Sequence, residues 1–227
     1  MLSTDDHKRI ADAITEAENK SAGEIFCVLA HEVSRYREVP LLWASVTAFI
    51  VPPLAVMAGL HNLALGNVFS SWSDENLRAT QSLILRALSG YALLQAGLFL
   101  IVALLVSLPP IKRVLTPRFL KRHRVRQLAR HHFSAAGARL THAEPHILIY
   151  ASLADRQVEL VAHDAIHRAV GDGPWNAAVA AVGDGMKAGK PAEGFIRAIE
   201  ICGAALAEHF PSTGPAENRI SNDILET

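Results

Sequence analysis

Three aspartates in the second half of the chain, Asp155, Asp164 and Asp172, fall where a strand or helix is expected to start or stop. Open α/β sheets place ligands at strand ends, and hard cations such as calcium and magnesium take several carboxylate oxygens. The three are therefore candidate ligands for one divalent cation, Ca2+ or Mg2+. Each also has a structural reading: Asp155 as a turn residue, Asp164 as a helix cap, Asp172 as part of a Gly-flanked turn. Glu24, at the start of a strand, is open to both readings. His163-Asp-Ala-Ile-His167 sets two imidazoles at i and i+4, the spacing of zinc-binding helices. Its acid is one methylene shorter than the glutamate of that motif and no third ligand is specified, so a zinc protease is not the expectation. His31, His123, His131, His132, His142 and His146 form no ligand pattern. Cys27 and Cys202 sit among apolar residues without CxxC spacing and read as reduced, buried thiols. Arg156 and Arg168 are the only cations near the aspartates, too few for a phosphate clamp.

These residues need elements to hold them. Ser3 or Thr4 caps a helix whose apolar positions Ile10, Ala13, Ile14 and Ala17 recur at helical spacing. Ser21-Ala-Gly23 stops it, and Glu24–Ala30 is an apolar run of strand length. This first segment is too small to bury a core alone. Further along, Pro109, Pro110 and Pro117 break the chain. A helix is predicted over about Phe119–Leu140, with Val125, Leu128, His132 and Ala136 on one face. His146–Ser152 reads as a buried strand, Leu153–Arg156 as a turn, and Gln157–Ala162 alternates as the second strand of a hairpin. A short helix from Asp164 ends at Gly171-Asp-Gly173. The next helix starts at Pro174, whose missing N–H costs nothing there. Its stripe is Trp175, Ala178, Val179, Val182 and Met186. A last helix from Pro191 turns Phe195, Ile199, Cys202 and Leu206 inward, and His209-Phe-Pro211 closes it.

Between the two soluble segments lie two uncharged stretches, Leu41–Leu60 and Ala87–Leu108. About twenty residues at 1.5 Å each span a hydrocarbon core of about 30 Å. Pro52 and Pro53 sit mid-span, which a membrane helix tolerates when neighbours satisfy the freed carbonyls. Gly90, Ala92, Ala96 and Gly97 offer small surfaces for close helix contact. Residues 61–86 form a short loop with Phe69 and Trp72 as interface aromatics; its cations, Arg78 and Arg86, face Asp74 and Glu75. Outside the pair, Arg35 and Arg37 precede the first span, and Lys112, Arg113, Arg118, Lys121, Arg122, Arg124, Arg126 and Arg130 follow the second. The positive-inside rule then puts both termini in the cytoplasm. The basic run 112–130 favours anionic lipid; it reads equally as a solvated helix face that only sets the topology. Half of the 227 residues are hydrophobic and 19% are charged, a bias concentrated in the two spans. With a net charge of zero, nucleic acid is not an expected partner. The first residues, with Asp5 and Asp6 and a polar helix, do not read as a signal peptide.

Several pieces, in order, resemble the TPM domain family, also labelled TPM phosphatase, in its membrane-anchored bacterial subgroup. They are Gly23-Glu-Ile-Phe-Cys-Val28, Ser34-Arg-Tyr36, Arg130–Phe133, the Gly137 to Thr141 stretch, and above all Ile147-Leu-Ile-Tyr-Ala-Ser-Leu-Ala-Asp-Arg-Gln-Val-Glu-Leu-Val-Ala-His-Asp164. Trp175 and the Gly189 to Gly194 segment follow. The resemblance implies a helix-flanked sheet, often membrane-tethered. It implies weak phosphatase activity or divalent-metal binding in some members and assembly or repair of membrane complexes in others. Family patterns carry Glu at the turn where this chain has Asp155; Asp164 matches the aspartate after the second strand. The tail departs, reading Asn218-Arg-Ile-Ser-Asn-Asp223 where the subgroup reads Asn-Glu-Leu-Pro-Asp.

The expected architecture is α/β: one three-layer TPM-like domain, a small sheet flanked by helices, interrupted by a transmembrane hairpin. Its parts are residues 1–39, the hairpin 40–108, the second part 109–211 and a tail 212–227. The expected function is a non-catalytic module that binds a protein partner, or assembles a complex, at the bacterial inner membrane. The alternative is a weak, divalent-metal-dependent phosphatase.

Overall fold

The computed structural model describes residues 2–31, 36–58, 77–138, 145–212 and 220–227. Phe69, Trp72, Asp74, Glu75, Ser34, Arg35 and His142 lie outside them. The chain forms two compact units, one discontinuous (Met1–Arg35 with Arg118–Thr227), the other Tyr36–Pro117.

The discontinuous unit is mixed α/β. Its elements are α1 (Thr4–Glu18) and β1 (Glu24–Ala30) from the first segment. From the second come α5 (Arg118–Gly137), β2 (His146–Ser152), β3 (Gln157–Ala162), α6 (Asp164–Val170), α7 (Gly173–Lys187), α8 (Pro191–His209) and β4 (Leu225–Glu226). The strand order is β3-β2-β1-β4. β1 runs parallel to β2, with Cys27 opposite Ile149; β3 is antiparallel to β2; and β4 joins β1 in parallel, Val28 opposite Leu225.

Helices flank both faces of this sheet. Alternate residues of β1 and β2 point opposite ways. Ile25, Cys27, Leu29, Ile147, Ile149 and Ala151 meet α1, α6, α7 and α8. Phe26, Val28, Ala30, Leu148 and Tyr150 meet Val125 and Ala129 of α5 and Ile220 of the tail. β2, buried at every position, reads as a continuous apolar run because neither face sees water. Phe195, Ile199, Cys202 and Leu206 of α8 are fully buried, as the spacing predicts.

Local chemistry sets the helix ends. Ser3 caps α1 in a reciprocal box with Asp6. α7 carries Pro174 in its first turn. α1 and α8 approach until Gly203 faces Ala17, where an added Cβ would lie 2.6 Å from the Ala17 Cβ. α7 and α8 cross as closely: a Cβ on Gly185 would lie 2.7 Å from the Gly194 Cα.

The other unit pairs α2 (Glu38–Met57) with α3 (Leu77–Ser107), followed by the short α4 (Pro109–Leu115). Both long helices are long and apolar enough to cross a membrane. α2 has 20 residues and runs through Pro52 and Pro53; it starts and ends three residues before the uncharged stretch does. α3 has 31 residues and starts ahead of its apolar part. The contact of α2 with α3 does not run through Ala92, Ala96 or Gly97. Ala44 and Ala48 of α2 are buried, whereas Ala92 and Ala96 are exposed and a Cβ on Gly97 would meet nothing within 4 Å. Small residues occur all round α3, so their presence alone does not select a face. The Trp43 indole N–H donates to the Leu115 carbonyl at 3.2 Å.

Candidate functional site

In a sheet of this kind the ligand-binding end is where the parallel strands finish. Here β1, β2 and β4 finish together. Backbone bonds fasten the three exits: Leu153 N–H to the Ala30 carbonyl at 2.9 Å, Ala154 N–H to the His31 carbonyl at 3.1 Å, and His31 N–H to the Thr227 carbonyl at 2.7 Å. Two acids sit there. Asp155 is buried, and its carboxylate accepts from the Ser152 hydroxyl at 3.4 Å. Glu226 accepts the Leu2 N–H at 3.0 Å and lies 3.3 Å from His31 Nε2 and 3.7 Å from His7 Nε2. Burial opposes ionisation of Glu226, and the Leu2 amide and the two imidazoles outweigh it, holding the carboxyl below its usual range. Burial, with the neighbouring Asp155 carboxylate second, pushes the Tyr150 phenol up.

The three aspartates do not gather. Asp155 precedes β3 and Asp164 follows it, so they stand at opposite ends of a six-residue strand, roughly 20 Å apart at strand rise. Asp172 lies beyond the far end of α6, its carboxylate 3.7 Å from His167 Nε2. One cation cannot be held by all three. Among the described residues no three His, Cys, Asp or Glu side chains are grouped to hold a metal ion. Asp155 is the turn residue its type suggests. Asp164 is not the cap of α6: His163 is, its Nδ1 accepting the Ala165 N–H at 3.3 Å. Asp164 takes the first helical position instead, where an acid meets the positive end of the helix dipole. Asp172 occupies the N-cap position of α7 without a side-chain cap bond. The i, i+4 histidine pair is divided the same way, one imidazole capping α6 and the other turned to Asp172. Arg168 bonds the Asp164 carbonyl of its own helix at 3.2 Å. Arg156 turns at a φ of 50° next to Asp155.

The opposite end of the sheet is aromatic. His146 stacks on Phe133 of α5 at 4.3 Å and lies 5.4 Å from His163.

Two features were not foreseen from sequence. The tail returns as β4, and a cavity of about 380 Å³ opens between it, β1 and His132 of α5. Burial, with His131 second, holds His132 below the usual histidine range. The other is Glu18, buried on α1, whose carboxylate accepts the Ile25 N–H at 2.9 Å. Burial, above all, raises its pKa to about 7. The signal was present: Glu18 falls four residues after Ile14, on the same helical stripe as Ile10.

No family model matches the chain, and no curated protein matches it. Among solved structures it is similar to the NMR structure of the BA42 protein from the psychrophilic bacterium Bizionia argentinensis, at a TM-score of 0.55 and 17% identity over 100% of this chain and 96% of that one, a likeness of fold alone.

Proposed function

We propose that this is an integral membrane protein of the bacterial inner membrane, in which a two-helix hairpin anchors a TPM-like cytoplasmic domain that binds a protein partner without catalysis. The observation that carries the reading is the apolar surface of the hairpin. Of the stretch Leu88–Ser107 only 6% is buried. Phe49, Met57, Leu93 and Leu104 are each at least 70% exposed, and Leu100 is 66% exposed. A core helix of a water-soluble protein hides such residues, and soluble monomers rarely expose apolar patches beyond a few hundred Å². Lipid is the natural cover.

The domain reading is supported by the position of β1. It sits inside the sheet, between β2 and β4, although the hairpin separates it from both in sequence. An insertion that leaves the host sheet intact suits a tether. The resemblance to the TPM family, carried by the order of its motifs, supplies the partner-binding or assembly role.

Partner binding also has a place to happen. A groove of about 520 Å³ runs along α7 and α8. It is lined by the small residues Ala177, Ala180, Gly185, Ala188 and Gly194 and by the charged Asp184, Lys190 and Arg197. A small-residue lining lets a partner backbone approach, and mixed charges beside it orient it. Gentle solubilisation followed by affinity purification tests this. A stoichiometric partner that is lost on Ala180→Arg and Ala188→Arg, both at exposed positions, supports the reading. Metal-dependent turnover of a phosphomonoester by the purified protein, with no partner retained, would favour the phosphatase alternative.

A further inference from the structure

We infer that one flank of α5 is a docking surface for the anionic lipid headgroups of the membrane that the hairpin crosses; the inference rests on the membrane reading above. α5 packs on the sheet through Val125 and Ala129, with Leu128, Phe133 and Ala136 beside them. The cations of the basic run do not all share one face. Phe119, Arg122, His123, Arg126 and Arg130 recur at three- and four-residue spacing and so line one flank. All five are exposed. Phe119 is 74% exposed, an aromatic ring standing in water among guanidiniums.

The partners of these residues narrow the reading. Arg126 is tied to Glu159 of β3, Nε to Oε1 at 2.8 Å, which fixes the flank relative to the sheet. Arg122 and Arg130 have no acidic partner among the described residues. A flank with an exposed phenylalanine and guanidiniums without counter-charges suits a headgroup layer, where the ring enters the acyl boundary and the cations meet phosphate. It suits nucleic acid less, since no second basic element adjoins it in the strand-edge or tail residues described.

The chain brings this flank to a membrane. Only residues 108–117 separate the end of α3 from Arg118. Even fully extended, that connection reaches roughly 35–40 Å, and α4 makes part of it helical. These two guanidiniums near an anionic surface, at about 1 kcal/mol each, bias the flank towards it by roughly thirtyfold.

The test uses the full-length protein in nanodiscs of phosphatidylcholine, with or without phosphatidylglycerol. Phe119→Cys carries an environment-sensitive fluorophore, and Ala180→Cys on α7 is the control. The native Cys27 and Cys202 are buried and do not compete for label. With phosphatidylglycerol the label at 119 is expected to be quenched by a headgroup-level lipid quencher and to lose at least half its accessibility to iodide. The control stays unchanged. Arg122→Gln and Arg130→Gln together should return the label to its phosphatidylcholine behaviour. Retention in the discs through an alkaline wash reports the hairpin separately. A retained protein whose label ignores lipid composition would overturn the docking surface alone. A protein washed out of the discs would overturn both readings. Protection of the label by duplex DNA in phosphatidylcholine discs would assign the flank to nucleic acid and overturn it too.

Discussion

Cys27 and Ile149 face each other at the centre of the sheet, and the entire hairpin lies between them in the chain. β1 supplies Ile25, Cys27 and Leu29 to one core layer and Phe26, Val28 and Ala30 to the other. Removing it would therefore open both layers and split β2 from β4.

The first prediction follows from this. A chain with residues 36–117 replaced by a flexible linker should be soluble and melt cooperatively. Residues 118–227 alone should not, because they lack the strand that both neighbours pair with. A cooperative melt of 118–227 at the temperature of the fusion would contradict the shared sheet.

Glu18 makes stability depend on pH. Its carboxyl is raised from 4.5 to about 7 by burial, so the folded state holds the proton more tightly than the unfolded state. The contribution is complete below the unfolded value and is lost as pH rises through the folded one. Over that window the fusion should lose up to about 3 kcal/mol. Glu18→Gln keeps an acceptor for the Ile25 N–H and should flatten the dependence. Denaturant melts from pH 4.5 to 7.5 with an unchanged slope in the variant would show that Glu18 is not the group.

Two glycines separate close packing from helix propensity. Gly203→Ala should destabilise the fusion by about 1–3 kcal/mol, because the new methyl meets Ala17 with no room to move. Gly183→Ala, on the neighbouring helix α7, meets nothing within 4 Å and should stabilise by about 0.5–1 kcal/mol. Equal effects of the two, read from thermal melts, would show that α1 and α8 do not approach so closely.

Much of the domain was legible because its elements carry local signals. The Ser3 cap, the period of α8 and the unbroken apolar run of β2 each follow from residues within one element. β4 was not legible. It is two residues long and gains its strand identity only by lying against Val28 and Leu29, far away in sequence. The aspartates differ. Each sits at an element end, as read, but Asp155 and Asp164 flank one six-residue strand, β3, whose extended length alone keeps them apart whatever it pairs with. The His163 cap replaced the expected Asp164 cap by one position, a shift that spacing alone does not resolve.

Divalent cations test the alternative function. Millimolar calcium or magnesium is expected to leave the melting temperature of the fusion unchanged, because Asp155, Asp164 and Asp172 cannot share an ion. A site on one of them would instead raise stability by RT ln(1 + [L]/Kd), about 2.7 kcal/mol at a hundredfold excess over Kd. A rise of that size, abolished by Asp155→Asn or Asp164→Asn, would restore the metal-dependent reading.

Labelling in intact cells tests the membrane account most directly. Ser71→Cys, between the two spans, should react with a membrane-impermeant maleimide from outside. Ser212→Cys, after α8, should react only once the membrane is permeabilised, since the cations flank the hairpin on its outer ends. The reverse pattern would overturn the orientation. Release of the whole chain by alkaline carbonate, with neither position shielded by a membrane, would contradict the account at its root.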